Sequence, residues 1–274
     1  MPELPEIEVL RRSLSLRILG RSVVGVEVSN PALREPVNPA QLARAVVGRR
    51  IVGLGRRAKY LLIDLDGEHS LVVHLGMSGQ LTLVDGDEPK QKHEHVAFHL
   101  DDGRRLRFRD PRRFGLVLAL PTEGLLEDRH FSKLGPEPLA GALTGELLAA
   151  TVGRRRGAVK NFLMDGSIVV GVGNIYASEA LYRAGIHPNR SVARIALPRW
   201  EALAAAVRAT LEAAIAEGGT TLKDFADGDG NSGYFQVSLA VYDREGEPCP
   251  RCAKPICRMT HSGRGTFYCG GCQR

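Results

Sequence analysis

The sequence predicts a multidomain α+β protein, and three observations support this prediction. Between residues 22 and 121, short β-rich runs are separated by Gly and Asp, a spacing typical of an antiparallel β-sandwich or barrel. Between residues 144 and 217, the pattern becomes helical. After residue 248, two Cys-x-x-Cys pairs enclose a short β-like segment. The predicted order is therefore a β-domain, a helical domain and a C-terminal hairpin.

The individual elements follow from local patterns. One amphipathic helix is predicted for residues 5–19, because Pro5 suits a first helical position and Ile7, Leu10 and Leu14 fall on one face. The predicted strands are residues 23–28, 51–54, 60–65, 71–75, 96–100, 106–109 and 116–120. The predicted helices of the second domain are residues 144–150, 158–164, 175–184 and 198–217. A pair of glycines ends the last of these helices.

These elements divide the chain into four regions. The N-terminal β-sandwich domain, flanked by helices, covers residues 1–132, and a hinge covers residues 133–148. The helical domain covers residues 149–236, and the hairpin module covers residues 237–274. Residues 218–236 of the helical domain contain five glycines, which predicts a mobile loop.

The cysteines indicate a metal site. Four of the five cysteines form two pairs, Cys249 with Cys252 and Cys269 with Cys272, sixteen residues apart. This spacing is typical of a structural zinc site with four thiolate ligands. Two disulfides or a rubredoxin-like iron site are the alternatives, and an intracellular location disfavours disulfides. The fifth cysteine, Cys257, lies outside the pairs, and no ligand role is predicted for it.

The segment between the cysteine pairs predicts a β-hairpin. Within residues 258–268, Gly263 and Gly265 flank Arg264 at the predicted tip. A metal-bound hairpin that presents an arginine suits phosphate binding, because a guanidinium group donates paired hydrogen bonds to phosphate oxygens. The hairpin therefore points to nucleic acid as a partner.

Composition and charge also favour an anionic partner. The chain of 274 residues has 25% charged and 43% hydrophobic residues, a net charge of +6 and a pI near 9.2, which excludes a disordered chain. Arginine doublets and one triplet are spread along the sequence and indicate a long basic surface. Charges on unrelated solvated faces are the alternative. The acidic start predicts no signal peptide, and no apolar run is long enough for a membrane span. We therefore expect an intracellular protein.

The first residues predict an unusual nucleophile. Initiator methionine is normally removed before a small residue such as proline, so we expect Pro2 to become the amino terminus beside Glu3. An amino terminus has a pKa of about 7.7–8, so a useful fraction is neutral and nucleophilic near pH 7. Attack of this amine on a sugar C1′ can displace a base, and the adjacent acid can supply a proton. The alternative is that both residues only lead into the first helix.

Several motifs, in a fixed order, give the chain a family resemblance. They are Pro-Glu-Leu-Pro-Glu at 2–6, Arg-Arg-Ala-Lys-Tyr-Leu at 56–61, His-Leu-Gly-Met-Ser-Gly at 74–79, Asp-Pro-Arg-Arg-Phe-Gly at 110–115, Leu-Gly-Pro-Glu-Pro-Leu at 134–139, Gly-Val-Gly-Asn-Ile-Tyr at 171–176 and the cysteine pairs. In this order they strongly resemble the formamidopyrimidine-DNA glycosylase family over essentially the whole chain. The resemblance implies a helix–two-turn–helix DNA-binding domain, with a lesion loop at residues 218–236, and a zinc finger that holds one structural Zn²⁺.

The resemblance also implies an activity. It implies a base-excision-repair glycosylase that removes 8-oxoguanine and formamidopyrimidines through a Schiff base on the N-terminal proline. An AP lyase activity then cleaves the strand by β,δ-elimination. The implied partner is double-stranded DNA with a flipped damaged base, and we expect a monomer in the bacterial cytoplasm, associated with the nucleoid.

The resemblance assigns catalytic roles to four residues. Pro2 is implied as the nucleophile and Glu3 as the proton donor in base removal. Lys59 is implied in protonating or binding the sugar-phosphate during β-elimination. Arg264 is implied at the lesion phosphate and in δ-elimination. Because a guanidinium group is a poor proton donor, electrostatic positioning suits Arg264 better.

Further residues are implied at the DNA. Met77, Arg112 and Phe114 match void-filling residues, since a pliant thioether, a planar donor for the orphaned cytosine and an aromatic wedge suit that task. Read alone, Met77 and Phe114 would be core residues. The implied DNA contacts are His74, His93, Arg112, Arg155 and Asn174.

The glycines before Asn174 predict an anion site. A Rossmann fingerprint fails there because Tyr176 occupies the third glycine position. A helix N-terminus with Asn174 as its cap still suits a phosphate.

Two other readings stay open. An endonuclease VIII-like glycosylase for oxidised pyrimidines would usually carry glycine in place of Leu4 and lack the Met-Arg-Phe set. A zinc-containing DNA-binding module would bind DNA without chemistry. Three residues, Gly166, Asp243 and Cys257, depart from the family pattern, and Asp243 predicts a different turn before the metal site.

Overall fold

The computed structural model describes residues 2–219 and 239–274 and contains two compact units. The first unit consists of Met1–Ser132 and Glu217–Gln236, and the second of Lys133–Ala216 and Val237–Arg274. The predicted lesion loop lies, from residue 220 onward, outside the described residues. Within the described ranges, no helix is long and apolar enough to cross a membrane.

The first unit contains two four-stranded antiparallel sheets. Its strands are β1 (Val23–Val28), β2 (Ile51–Arg57), β3 (Tyr60–Leu65), β4 (His69–His74), β5 (Gln80–Asp85), β6 (Glu94–Leu100), β7 (Arg104–Arg109) and β8 (Leu116–Pro121). One sheet has the order β1-β6-β7-β5, and the other has the order β2-β3-β4-β8. Apolar residues of both sheets form one core cluster. This arrangement confirms the predicted antiparallel sandwich.

Two α-helices flank these sheets. Helix α1 covers Leu4–Ile18, and α2 covers Pro39–Val46. In α1, Leu10, Leu14 and Ile18 are fully buried in the core cluster, and the helix packs against β2. The predicted period of apolar residues thus marks the face that α1 buries.

The sequence-based element assignment misses α2 and β5. Helix α2 is short, and its start depends on the Asn38 side chain, which accepts a hydrogen bond from the Gln41 backbone N–H at 3.0 Å. Strand β5 alternates buried and half-buried residues between two polar ends. Its pairing with β7 identifies it as a strand, because the pairing of Leu81 with Phe108 places the apolar side of β5 in the core.

The second unit is mainly helical. Its helices are α3 (Gly145–Val152), α4 (Val159–Leu163), α5 (Asn174–Arg183) and α6 (Leu197–Ala216). Helix α6 packs against α3 and α5, and Trp200 of α6 contacts Phe162 of α4 with ring centroids 5.4 Å apart. Helix α3 begins within residues 133–148, which were predicted as the hinge.

A two-stranded hairpin completes the second unit. Strands β9 (Cys257–His261) and β10 (Arg264–Tyr268) pair antiparallel. Ser262 and Gly263 both have positive φ, of 48° and 73°, as a two-residue type I′ turn requires. Arg264 is therefore the first residue of β10, beside the turn, rather than its central residue as predicted.

One carboxylate joins α1 to the β2–β3 hairpin. Glu8 accepts hydrogen bonds from Arg11 and Arg12 at 2.8 Å and forms an ion pair with Arg56 of β2 at 3.4 Å. Burial alone would raise the pKa of Glu8, but the hydrogen bonds from Arg11 and Arg12 and the charge of Arg56 lower it to about 2. Because the folded-state pKa is depressed, the charged form stabilises the fold.

We predict that Glu8→Gln lowers the free energy of unfolding at pH 7 by on the order of 2 kcal/mol. The difference from the unsubstituted protein should shrink as the pH falls from about 4.5 toward about 2, because Glu8 then gains its proton. Urea unfolding at several pH values measures both quantities. A difference that is constant with pH would contradict this account of Glu8.

Candidate active site and metal centre

The start of α1 buries the predicted nucleophile and its acid. Pro2 is buried, and Glu3 is 2% exposed. The Glu3 backbone N–H donates to Oε2 of fully buried Glu6 at 2.7 Å, within a reciprocal capping box. Pro2 and two carboxyl groups therefore occupy the same buried helix start.

The β2–β3 hairpin carries Lys59 at its turn. Arg57 pairs with Tyr60, so Ala58 and Lys59 form the connecting turn, and Ala58 has a φ of 53°. Arg56 donates through Nη1 to the Ala58 carbonyl at 2.9 Å. Since Arg56 is also paired with Glu8, helix α1 and this turn share one ion-pair network. Lys59 itself is half-buried.

His74 is held in its neutral form. Its ring lies 4.8 Å from the Tyr60 ring, and its Nδ1 accepts the Gly76 N–H at 2.9 Å. Burial lowers the pKa of His74 to about 4, and the charges of Arg34 and Lys59 act in the same direction. At neutral pH the ring can therefore donate only through Nε2.

The Met-Arg-Phe set lies on two neighbouring loops of the first unit. Met77 is 37% exposed and Phe114 is 46% exposed, so the alternative reading of either residue alone as a core residue is wrong. The guanidinium carbon of exposed Arg112 lies 5.0 Å from the centre of the Phe114 ring. An aromatic ring, a thioether and a guanidinium group are thus all presented to solvent.

The second unit places Asn174 at the first turn of α5. The cap position is Gly173, so the prediction that Asn174 caps the helix is wrong. Its side-chain Oδ1 accepts from Lys160 at 2.6 Å, and its Nδ2 donates to the Gly265 carbonyl at 2.9 Å. Asn174 therefore links the start of α5 to the hairpin strand that carries Arg264.

Lys160 is a site residue that sequence analysis misses. Its side chain is fully buried and also donates to Thr266 Oγ1 at 2.6 Å and to the Gly265 carbonyl at 3.3 Å. A lysine in a short helix usually faces solvent, so nothing in its neighbours indicates this position. Lys160 and Asn174 together position the residues next to exposed Arg264.

The other two predicted contact residues lie on separate segments. His93 precedes β6 in a left-handed conformation with a φ of 68°, and its carbonyl accepts the Asp110 N–H at 2.9 Å. Exposed Arg155 follows α3 and donates to the Thr151 carbonyl at 2.6 Å. These bonds fix the backbone of His93 and the side chain of Arg155.

Glu179 of α5 also went unpredicted. Its carboxylate accepts the backbone N–H groups of Ala240, Val241 and Tyr242 at 3.0, 2.9 and 2.8 Å. Asp243 follows with a φ of 61°, a conformation that aspartate tolerates better than most residues. One buried carboxylate of α5 therefore holds the backbone of residues 240–242, the segment that leads to the cysteines.

The four paired cysteines converge on one point. Their sulfur atoms all lie within 4.8 Å of one another, with Cys249 and Cys272 3.8 Å apart and Cys252 and Cys269 3.4 Å apart. These separations exceed a disulfide bond of about 2.05 Å. Tetrahedral metal–sulfur bonds of about 2.3 Å require sulfur separations of roughly 3.8 Å. The site fits one metal ion with four thiolate ligands.

Neighbouring groups support the metal centre. The Tyr182 hydroxyl lies 3.3 Å from Cys249 Sγ, and the Arg251 N–H donates to the same sulfur at 3.4 Å. Tyr182, Cys249 and Cys269 also belong to a small buried cluster with Phe267 of the hairpin. Cys257 stands apart, with its sulfur 3.8 Å from the Pro255 carbonyl oxygen.

Comparisons with known proteins identify the family. Residues 1–117 match the family model described as formamidopyrimidine-DNA glycosylase N-terminal domain, and residues 134–226 match the formamidopyrimidine-DNA glycosylase H2TH domain. The chain is 52% identical to formamidopyrimidine-DNA glycosylase of Syntrophotalea carbinolica and 51% identical to that of Halorhodospira halophila, each over 100% of both chains.

Solved structures agree with these matches. A Lactococcus lactis FPG mutant in complex with Fapy-dG-containing DNA has a TM-score of 0.93 and 31% identity over 100% of both chains. The MutM (FPG) protein of Thermus thermophilus has a TM-score of 0.88 and 38% identity over 99% of this chain and 98% of that one. The protein is thus a DNA repair glycosylase. It belongs to the formamidopyrimidine-DNA glycosylase family.

We predict that Cys269→Ser abolishes stoichiometric metal binding, because the hairpin then lacks one of four converging ligands. The matched control is Cys257→Ser, which should keep roughly one ion per chain. Elemental analysis of the purified proteins measures this. Equal metal loss in both variants, or in neither, would contradict the proposed ligand set.

We predict that Lys160→Met destabilises the second unit by on the order of 2 kcal/mol, because Asn174 Oδ1 and Thr266 Oγ1 lose a buried charged donor. Lys133→Met, at an exposed lysine, should change the unfolding free energy by less than about 0.5 kcal/mol. Urea unfolding compares the two variants. Equal effects would show that Lys160 does not anchor the hairpin.

Proposed function

We propose that this chain is a bifunctional DNA glycosylase and AP lyase that removes oxidised purines from double-stranded DNA. The observation that carries the proposal is the burial of Pro2 beside Glu3 and Glu6 at the start of α1. Related structures support it, since Lactococcus lactis Fpg has been solved with Fapy-dG-containing DNA and with abasic-site DNA. In this proposal Met1 is removed, and Pro2 provides a free secondary amine.

The first chemical step is base removal. The Pro2 lone pair attacks C1′ of the damaged nucleotide, and the N-glycosidic bond breaks with its electron pair on the departing base. Glu3 in its acid form donates the proton that neutralises this base. The proline nitrogen then loses its proton, O4′ gains a proton as the C1′–O4′ bond breaks, and the nitrogen lone pair forms an iminium ion with C1′. Burial of both groups suits this step, because excluding water strengthens their interaction with the developing charges.

The second step is strand cleavage. The iminium ion acidifies the C2′ proton, so that its removal expels the 3′ phosphate, and a second elimination releases the 5′ phosphate. Lys59, next to the Glu8–Arg56 network, serves as a charge clamp and acid for the sugar-phosphate. Arg264 at the hairpin binds the lesion phosphate, and its fixed positive charge stabilises the leaving group.

DNA binding uses exposed and half-exposed residues of each unit. Arg155 and Asn174 of the second unit and His93 of the first are proposed phosphate contacts, with His74 donating through Nε2. Since Asn174 Nδ2 already donates to the Gly265 carbonyl and to the Tyr242 hydroxyl, a phosphate oxygen would replace one of these two acceptors. The four-cysteine site is proposed to hold one structural Zn²⁺, because four thiolates in tetrahedral array suit zinc. We propose a monomer as the active form.

Excision also requires that the damaged base leave the helix. Met77, Arg112 and Phe114 are proposed to fill the resulting hole, with Arg112 donating to the orphaned cytosine. Exposure of the two apolar side chains supports this role, because side chains 37% and 46% exposed are accessible to DNA. The same set favours oxidised purines over the endonuclease VIII-like alternative, for which thymine glycol would be the better substrate.

We predict that Pro2→Gly slows excision of 8-oxoguanine opposite cytosine by at least about tenfold, because it replaces the secondary amine that forms the iminium ion. Glu3→Gln should slow base removal by about 10²-fold while leaving borohydride trapping on preformed abasic DNA largely intact.

Single-turnover assays on 8-oxoguanine DNA and on preformed abasic DNA measure base removal and strand cleavage separately. Unchanged strand cleavage by Pro2→Gly would refute the nucleophile. Faster excision of thymine glycol than of 8-oxoguanine would favour the pyrimidine alternative.

A further inference from the structure

A buried carboxylate lies beneath the two loops that expose Met77, Arg112 and Phe114. Asp110 is 0% exposed. Its Oδ1 accepts from Ser78 Oγ at 2.7 Å and from the Arg112 backbone N–H at 3.2 Å, and its Oδ2 accepts the Gly115 N–H at 2.7 Å. One side chain therefore binds the loop after β4 and the loop after β7.

The backbone of Asp110 is fixed as well. Its N–H donates to the His93 carbonyl at 2.9 Å, and its carbonyl accepts from His95 Nε2 at 2.8 Å and from the Arg113 N–H at 3.2 Å. Asp110 thus makes hydrogen bonds through every polar atom it has. The carboxylate cannot rotate without breaking bonds to both loops.

The two loops also pack backbone against backbone. A methyl group added at Gly76, which has a φ of 66°, would lie 2.5 Å from the Phe114 carbonyl carbon. One added at Gly115 would lie 2.4 Å from Cζ of buried Phe108 and 3.1 Å from Asp110 Oδ2. Because no side chain separates the loops at Gly76, a shift of one loop requires a shift of the other.

We infer that Asp110, assisted by Ser78, is a positioning residue that holds Met77, Arg112 and Phe114 as one preformed wedge. The inference rests on the proposed function, in which this set fills the hole left by the flipped base. Three side chains on two loops must enter that hole together. If the loops are already ordered before DNA binds, the entropy cost of ordering them is not paid while the base leaves the helix. Asp110 itself touches neither the base nor the sugar.

The geometry requires a carboxylate at position 110. Both oxygens accept hydrogen bonds, and two of the three donors are backbone N–H groups that cannot become acceptors. An asparagine would aim its NH₂ group at either the Arg112 or the Gly115 N–H. Asp110→Asn therefore keeps the side-chain volume but loses at least one loop bond. Ser78→Ala keeps the carboxylate but removes both bonds of the hydroxyl to the other loop, the one it donates to Asp110 Oδ1 at 2.7 Å and the one it accepts from the Arg112 N–H at 3.3 Å.

The chain offers a matched control for the hydroxyl. Ser70 of β4 is also fully buried and bonds a carboxylate, with its Oγ 3.1 Å from Asp64 Oδ1 and 3.0 Å from Thr122 Oγ1. It belongs to the same unit but lies in β4 and contacts neither loop. Ser70→Ala therefore reports the general effect of removing a buried serine hydroxyl.

The test compares two substrates. One is a duplex with 8-oxoguanine opposite cytosine, which needs eversion and void filling. The other is a single-stranded abasic oligonucleotide trapped with borohydride, which needs neither. We expect Asp110→Asn and Ser78→Ala to slow single-turnover excision in the duplex by about 10- to 100-fold and to change single-strand trapping by less than about twofold. Ser70→Ala should change both rates by less than about twofold.

A second measurement is independent of activity. In the free protein, amide hydrogen exchange at residues 110–115 should be at least about tenfold faster in Asp110→Asn than in the unsubstituted protein, with no such change in Ser70→Ala. Unchanged exchange in Asp110→Asn would overturn the inference, whatever the activity of the protein. Failure of the unsubstituted protein to trap abasic DNA would instead contradict the proposed function. Equal losses on both substrates would also overturn it, because they would show a purely structural role.

Discussion

The first turn of α1 is the constraint on which the proposed chemistry depends. Leu4 is fully buried, and the Glu3 N–H is held by Glu6 Oε2. Pro2, which precedes Glu3, therefore has a fixed position at the edge of the core. The first residues of a chain are usually disordered. A nucleophile that is one of the first residues gains precision only if its backbone is fixed in this way.

Buried polar groups anchor the other functional segments in the same manner. Glu8 connects α1 to the turn that carries Lys59, and Asp110 connects the loops that carry Met77 and Phe114. In the second unit, Lys160 connects α4 to Asn174 and the hairpin. Each group has several hydrogen-bonding partners, which offsets the desolvation that burial imposes. The residues proposed to contact DNA thus lie next to buried polar groups that have several hydrogen-bonding partners.

The predictable parts of the molecule are those whose structure is encoded by a local sequence pattern. The apolar period of α1, the alternation in most strands and the spacing of the cysteine pairs all encode structure locally, and so they predicted the sandwich and the metal site. The strands extend further than predicted where charged residues continue the pairing, as Arg56 does opposite Leu61. The family resemblance supplied the implied role of Lys59 and the implied part of Arg264 in δ-elimination, which no local pattern contains.

What escaped prediction depends on contacts between segments distant in sequence. The Asn174 side chain bonds Gly265 rather than capping its own helix, and no feature of residues 171–176 reveals this. Lys160 and Glu179 look like ordinary helix-surface residues until the hairpin and residues 240–242 pack against them. Taken alone, Met77 and Phe114 would be core residues, because hydrophobicity does not record exposure, and only the family resemblance predicted that they fill the void in DNA.

The most direct test of the central claim is to locate the covalent bond. The protein is incubated with abasic DNA, reduced with borohydride and digested with protease and nuclease, and the adduct is mapped by mass spectrometry. The account predicts a deoxyribose remnant on the nitrogen of Pro2 in a peptide that lacks Met1. An adduct on a lysine such as Lys59, or full activity in protein that retains Met1, would contradict it.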